Sequence, residues 1–391
     1  MPTAGRLGRG AALLCLLIPL VTACSSDRPA PPRAEQTTTA PTSEPPGPEE
    51  RVEEVLAGLD RRAQVAQLFV AGVPLDDLAS GDVPAQSGMG GLFLAGRSEA
   101  PATELAATAE RWQTLAPGPR LWLAVDQEGG AVQSLKGPGF ERLPSALDQA
   151  SLPPADLAPL AAGMGSALHD AGLNLDLAPV ADVVPPGTEA ANEPIGAYDR
   201  HYGTTPESVT AAAGEVIDGL AGAGVTATVK HFPGLGRVRD NTDTTADVVD
   251  PTTTTDDAQV QVFADLANSP ADPFVMMSSA TYPQIDPAAQ AAFSPVVVTD
   301  LLRGRLGFDG VVISDDLGNA RAVRDLPPGE RAVRFLGAGG TLVLTVEPAI
   351  VPEMIDAVLA RGAADPAFAA TVDEAVRTAL LAKEQAGLLA G

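Results

Sequence analysis

Val225-Thr226-Ala227-Thr228-Val229 runs directly into Lys230-His231-Phe232-Pro233-Gly234-Leu235-Gly236. The first five residues are short, β-branched and apolar, the pattern of a buried strand. What leaves the strand is a cation, an imidazole and two glycines, followed by Arg237, Arg239, Asp240, Asn241 and Asp243. Loops held by a rigid scaffold are where chemistry is usually placed. A single loop of this kind could still be a solvated turn. The decision rests on whether other strands end in the same way.

Working outward, eight apolar runs stand out: Gln67–Ala71, Gly91–Ala95, Leu121–Val125, Leu173–Ala178, Val225–Val229, Phe274–Met277, Val311–Ile313 and Thr341–Val346. Most are continuously hydrophobic rather than alternating, as parallel strands covered on both faces are. Helical patterns lie between them. Val52, Val55, Leu56 and Leu59 recur at helical spacing before the first run. Thr205-Pro206-Glu207 places a capping residue, a proline and an acid ahead of Val209 to Leu220. Asp300–Leu306 and Ala349–Arg361 are similar connectors. Eight strand–helix units predict a (β/α)₈ barrel of the TIM type, one domain with insertions. An open doubly wound sheet is the competitor, and no glycine-rich phosphate fingerprint follows the first strand to favour it.

A barrel builds its active site at the carboxyl ends of its strands. Read in order, those ends carry Asp126-Gln127-Glu128-Gly129-Gly130, then Pro179-Val180-Ala181-Asp182, then Lys230-His231, Ser278-Ser279 and Ser314-Asp315-Asp316. A lone Asp after a strand is often only a turn or cap residue, and Asp182 and Asp316 admit that reading. Several acids on one rim, with Lys230 and His231 among them, point to a site. Converging carboxylates suit a hard metal or glycoside hydrolysis. The three histidines, His169, His201 and His231, form no paired ligand motif, so metal is the weaker reading.

The 391-residue chain carries 25 Lys+Arg against 50 Asp+Glu, a net charge of −25 that repels phosphate backbones and anionic lipid alike. Residues 1–23 have the form of a secretory signal, with Arg6 and Arg9 before an apolar stretch too short to span a bilayer. The segment closes on Leu20-Val21-Thr22-Ala23-Cys24, similar to a bacterial lipobox, which makes Cys24 the expected lipidation site. Cys15, the other cysteine, would be removed with the signal, leaving no disulfide framework. The following segment, to residue 48, is rich in Pro, Thr and Ser and reads as a tether. Residues 49–391 are the expected barrel.

Lys230-His231-Phe232-Pro233-Gly234, Val125-Asp126-Gln127-Glu128-Gly129-Gly130 and Ile313-Ser314-Asp315-Asp316-Leu317 together resemble the one-domain bacterial β-N-acetylglucosaminidases of glycoside hydrolase family 3. Phe293-Ser294-Pro295, Leu301–Val312, Leu175–Asp182 and Tyr282-Pro283 extend the resemblance over about residues 50 to 350. It implies that Asp315 is the catalytic nucleophile. It also implies that Asp126, Lys230 and His231 hold sugar hydroxyls and that Arg200 binds substrate, although Arg200 follows its Ile-Gly pair two residues late. Three departures stand out. The Asp-Ser-His triplet that supplies the family's proton donor is Asn241-Thr242-Asp243 here, Gly-His-Gly is Gly234-Leu235-Gly236, and an expected Arg is Ser134. Asp243 or Asp240 could stand in as the acid, since a carboxyl with a raised pKa does that work in most glycosidases.

The expectation is therefore a retaining glycosidase acting on β-linked N-acetylhexosamine, with Asp315 and Asp243 as catalytic pair and no metal or organic cofactor. Its partners would be a cell-wall-derived saccharide and, through the lipid anchor alone, the outer face of a bacterial cell membrane. It would be monomeric and bind no nucleic acid. A catalytically weakened saccharide-binding lipoprotein is the alternative, and a structural envelope protein a more distant one.

Overall fold

Eight short parallel strands close on themselves: β1 (Phe69–Pro74), β2 (Gly91–Ala95), β3 (Trp122–Val125), β4 (Leu175–Asp176), β5 (Thr228–Phe232), β6 (Phe274–Met277), β7 (Val312–Ser314) and β8 (Val343–Thr345). The computed structural model describes residues 47–389. The signal segment, Cys24 and the tether as far as residue 46 lie outside the described residues. Ladders run in the order β8–β1–β2–β3–β4 in one sheet and β5–β6–β7 in the other. The two sheets meet through the bridges Leu175↔Thr226 and Val180↔Lys230 on one side and Ile313↔Leu342 on the other. Every strand neighbour is thus parallel, and the ring has no free edge.

Each predicted apolar run contains or overlaps one barrel strand, for the reason the composition suggested. Phe69, Val70, Ala71, Leu123, Ala124, Val229, Val275, Val312 and Ile313 are fully buried, covered on one side by the barrel interior and on the other by helices. Full burial of each Val, Leu, Ile or Phe side chain contributes about 1.5–3 kcal/mol. Trp122 and Phe274 pack edge to face with centroids 5.1 Å apart.

The main shift in bounds is at β5. The sequence places its end at Val229, but pairing with β6 continues through Lys230↔Met276 to Phe232↔Met277, with an irregularity between. Lys230 and His231 are therefore strand residues, held by the sheet rather than by a free loop.

The connectors follow the predicted helices. Pro48–Gly58 begins the barrel domain just ahead of its expected start at residue 49, with Val52 buried. Pro206–Gly222 begins at Thr205, whose hydroxyl accepts the Ser208 backbone N–H at 3.3 Å. The segment expected to be helical at Asp300–Leu306 overlaps a longer π-type helix, Val296–Arg305, which begins four residues earlier and ends one residue sooner. Val351–Ala364 and the long Pro366–Gln385 complete the outer layer. Among the described residues no helix is long and apolar enough to cross a membrane.

Candidate active site

At the carboxyl ends of the strands lies a cavity of about 340 Å³. Asp126, Arg200, Lys230, His231, Asn241, Asp243, Asp315 and Asp316 all line it, with Phe93, Leu177, Met276 and Leu344 as apolar walls. The expected sugar-binding residues Asp126, Arg200, Lys230 and His231 and the expected catalytic pair Asp315 and Asp243 thus line one hollow. They come from widely separated strand ends, which is how a barrel concentrates chemistry.

The floor is a paired-charge cluster. Lys230 Nζ donates to Asp126 Oδ1 at 2.7 Å and lies 2.7 Å from Glu128 Oε1. Arg200 grips Glu128 with two parallel bonds, Nε to Oε2 at 2.8 Å and Nη2 to Oε1 at 2.7 Å, while Nη1 donates to the Pro194 carbonyl. Burial works to raise the Glu128 carboxyl, yet the Arg200 and Lys230 charges outweigh it and hold Glu128 at about 2. Burial likewise works to lower Lys230, and Asp126 and Glu128 overcome it, so its ammonium is held above the ordinary value. Asp126 is the most accessible member, with 27% of its side chain exposed toward the cavity, and is free to accept a ligand hydroxyl.

His231 is set by a carboxylate from the neighbouring strand end. Its Nδ1 lies 2.8 Å from Asp182 Oδ2, and Asp182 is fully buried. With Asp182 as an acceptor, Nδ1 carries the proton of that contact and Nε2 is the remaining ring atom for the cavity. Asp182 Oδ1 also accepts the backbone N–H groups of Leu235 at 2.6 Å and His231 at 3.3 Å. Gly236 explains the glycine of this segment: a Cβ there would sit 2.0 Å from the Val183 carbonyl oxygen. The side chain must be absent for the β5 loop to lie against the Asp182 loop.

Asp315 and Asp316, adjacent in sequence, do different work. Asp315 lines the cavity, and its Oδ1 accepts the Asp316 N–H. Asp316 spends its carboxylate on the N–H groups of Gly318, Asn319, Ala320 and Val346. It is the turn residue that one reading of the sequence allowed, tying the loop after β7 to the end of β8. Burial raises its carboxyl above the usual range despite those donors.

Asp243 stands at the mouth, exposed on one side and crowded on the other. Desolvation first, then the Asp315 charge, push its carboxyl up to about 6. Its segment is fastened to the loop after β7, since Arg321 N–H donates to the Asp243 carbonyl at 3.0 Å and Ala322 N–H to that of Thr242 at 3.0 Å. Asp240, the other candidate acid, is exposed and does not line the cavity. Ser278 and Ser279, also at a strand end, are buried outside the lining; the Tyr282 hydroxyl donates to Ser278 Oγ.

Sequence reasoning leaves Glu128 and Asp176 without roles. Glu128 enters it only as a member of a motif, although its spacing of two from Asp126 puts it on the same strand end. Asp176, in β4, gives no signal beyond a charged residue inside an apolar run.

The comparisons agree with the geometry. A family model described as the glycosyl hydrolase family 3 N-terminal domain matches residues 62–380. The chain belongs to glycoside hydrolase family 3. As a family 3 member it is an enzyme that hydrolyses O-glycosyl bonds. A β-hexosaminidase from Stenotrophomonas maltophilia is 36% identical over 254 residues, covering 63% of this chain and 72% of that relative. The crystal structure of a β-N-acetylhexosaminidase from Beutenbergia cavernae superposes with a TM-score of 0.80 at 47% identity, over 83% of this chain and 98% of that one. A family 3 β-N-acetylglucosaminidase from Paenibacillus gives a TM-score of 0.74 at 30% identity, over 85% and 64%.

Proposed function

We propose that this family 3 enzyme is a retaining β-N-acetylhexosaminidase in which Asp315 is the nucleophile and Asp243 the proton donor. The observation that carries the proposal is the convergence of Asp126, Lys230, His231, Asp243 and Asp315 on one cavity of about 340 Å³, a volume suited to a single hexosamine ring. Relatives described as β-hexosaminidases support the choice of sugar.

In this reading Asp126, held by Lys230, accepts hydroxyls of the terminal sugar, and His231 reaches another from a fixed ring position. Asp315 attacks the anomeric carbon while the Asp243 carboxyl gives its proton to the departing glycosidic oxygen. The C–O bond breaks, a glycosyl ester on Asp315 forms, and Asp243 is left ionised. That order suits the electrostatics. The Asp315 charge helps keep Asp243 protonated before reaction. Esterification removes that charge, so Asp243 holds its proton less tightly when it must act as a base. It then takes a proton from water as the water oxygen attacks the same carbon and releases Asp315.

The lipobox-like Cys24 supports an extracytoplasmic, lipid-anchored enzyme, and cell-wall saccharides are the proposed substrates. The test is trapping with a fluorinated N-acetylhexosaminide that slows release of the ester, followed by peptide mapping. A label on Asp315 is the expected result. A label elsewhere, or sugar binding with no turnover of aryl or natural substrates, overturns the reading in favour of a saccharide-binding protein.

A further inference from the structure

Beneath the paired-charge floor sits a third carboxylate that the reaction does not use. Asp176 of β4 is fully buried. Its register partner across the sheet is Val125, the residue before Asp126. Oδ1 accepts the Gln127 backbone N–H at 3.0 Å, and Oδ2 has no hydrogen-bond partner among the described residues. The titratable groups whose charges act on it are Lys230 from β5, Asp126 and Glu128 from the β3 end, and Tyr202. None supplies a proton to Oδ2: the Tyr202 hydroxyl donates to Gln149 Oε1 at 3.1 Å, and Lys230 is engaged with Asp126 and Glu128.

Charge counting shows what state fits. Lys230 and Arg200 already match Asp126 and Glu128, two cations for two anions. A third ionised carboxylate would leave this cluster one negative charge in excess, and the excess would sit on its fully buried member with one oxygen lacking any donor, an arrangement that burial disfavours strongly.

We propose that Asp176 is held as an uncharged carboxylic acid and acts as a positioning residue, its Oδ1 fixing the Asp126-Gln127-Glu128 segment while its neutrality leaves Lys230 to Asp126. Burial pushes its carboxyl up to about 8, in keeping with that state. Above that pH the new anion competes with Asp126 for the Lys230 ammonium. The carboxylate that grips the sugar then loses its partner, and substrate binding weakens while the reacting pair is untouched. This inference rests on the reading of Asp126 and Lys230 as sugar-binding groups.

The experiment compares wild type with Asp176→Asn on an aryl N-acetylhexosaminide whose phenol leaves without protonation, which removes the Asp243 limb from the profile. Wild-type kcat/KM is expected to fall about tenfold per pH unit above about 8, through a rising KM at constant kcat. Asp176→Asn, which keeps the Oδ1 acceptor and cannot ionise, is expected to stay on its plateau. Superimposable profiles, or a uniform loss of kcat at every pH, overturn the proposal. Should Asp176→Asn fail to fold, wild type with isotope-labelled aspartate decides by infrared titration: a carboxylic acid carbonyl band present at about pH 7 and lost by about pH 9.5 supports it, and absence of the band overturns it. If wild type cleaves no glycoside at any pH, the glycosidase reading has failed, and the infrared band still decides the state of Asp176.

Discussion

Among the described residues two lysines are buried, Lys230 at the carboxyl end of the barrel and Lys383 in the helix Pro366–Gln385. Lys230 has carboxylates on two sides, each 2.7 Å away. Lys383 has one neutral partner, the Gln67 side-chain oxygen at 2.7 Å. The same side chain, equally hidden from water, is driven in opposite directions. Asp126 and Glu128 hold Lys230 charged, whereas desolvation alone pushes Lys383 down to about 7. Burial does not fix the state of an ammonium group; the anion beside it does. Neighbouring carboxylates keep the ammonium at the cavity floor charged, and without them the one in the outer helix is left to lose its proton.

Methionine substitution tests that contrast, because it keeps length and removes charge. Lys230→Met leaves Asp126 and Glu128 short of a cation and is expected to cost about 3–5 kcal/mol of stability, along with activity lost on the order of 10³-fold. Chemical denaturation and aryl-glycoside kinetics measure both. A Lys230→Met enzyme as stable and active as wild type would break the comparison.

Asp243→Asn comes next. Loss of a general acid is expected to lower kcat/KM for a natural disaccharide by roughly 10²–10⁴-fold, and far less for a substrate with a good leaving group. The wild-type profile for the disaccharide should fall as pH rises through about 6, where Asp243 gives up its proton, and the variant should lack that limb. Equal losses on both substrates would mean that Asp243 is not the donor.

Lys383→Met should do the reverse of Lys230→Met. The folded chain holds Lys383 near 7 against an ordinary 10.5, so between those values the unfolded chain binds more protons and stability rises with pH. Below about 7 the full penalty is present. Replacing Lys383 is therefore expected to raise stability by a few kcal/mol at pH 6 to 7 and by progressively less toward pH 10, with kcat/KM unchanged. Thermal unfolding across that range measures it, and a variant destabilised at every pH would refute the account.

The smallest effect serves as a scale for the others. Thr205→Ala removes an uncharged cap from Pro206–Gly222 and is expected to cost about 1 kcal/mol without changing activity. A loss as large as that of Lys230→Met would show that stability in this barrel does not track charge burial.

The eight strands were legible because a strand buried on both faces is nearly all apolar, and Gly91–Ala95 and Phe274–Met277 match their predicted bounds. The site residues were legible because a barrel directs every strand end to one rim, so Asp126, Lys230 and Asp315 could be placed together by motif and order alone. Asp316 and Asp182 could not be sorted in advance. Both are acids after a strand and both accept backbone N–H groups; what separates them is the imidazole of His231, which reaches Asp182, and no spacing reveals that.

The sequence by itself determined the alternation of strand and helix, the placement of acids at strand ends and the Asn241-Thr242-Asp243 run that follows the Lys230 motif, since each is written in neighbouring residues. Only the tertiary structure decided that Lys230 meets Asp126 across 104 positions, that Glu128 is clasped by Arg200 across 72, and that Lys383 meets a neutral amide oxygen instead of a carboxylate. The reason is that protonation depends on the charges and the water within a few ångströms, and in a closed barrel those neighbours come from strands far apart along the chain.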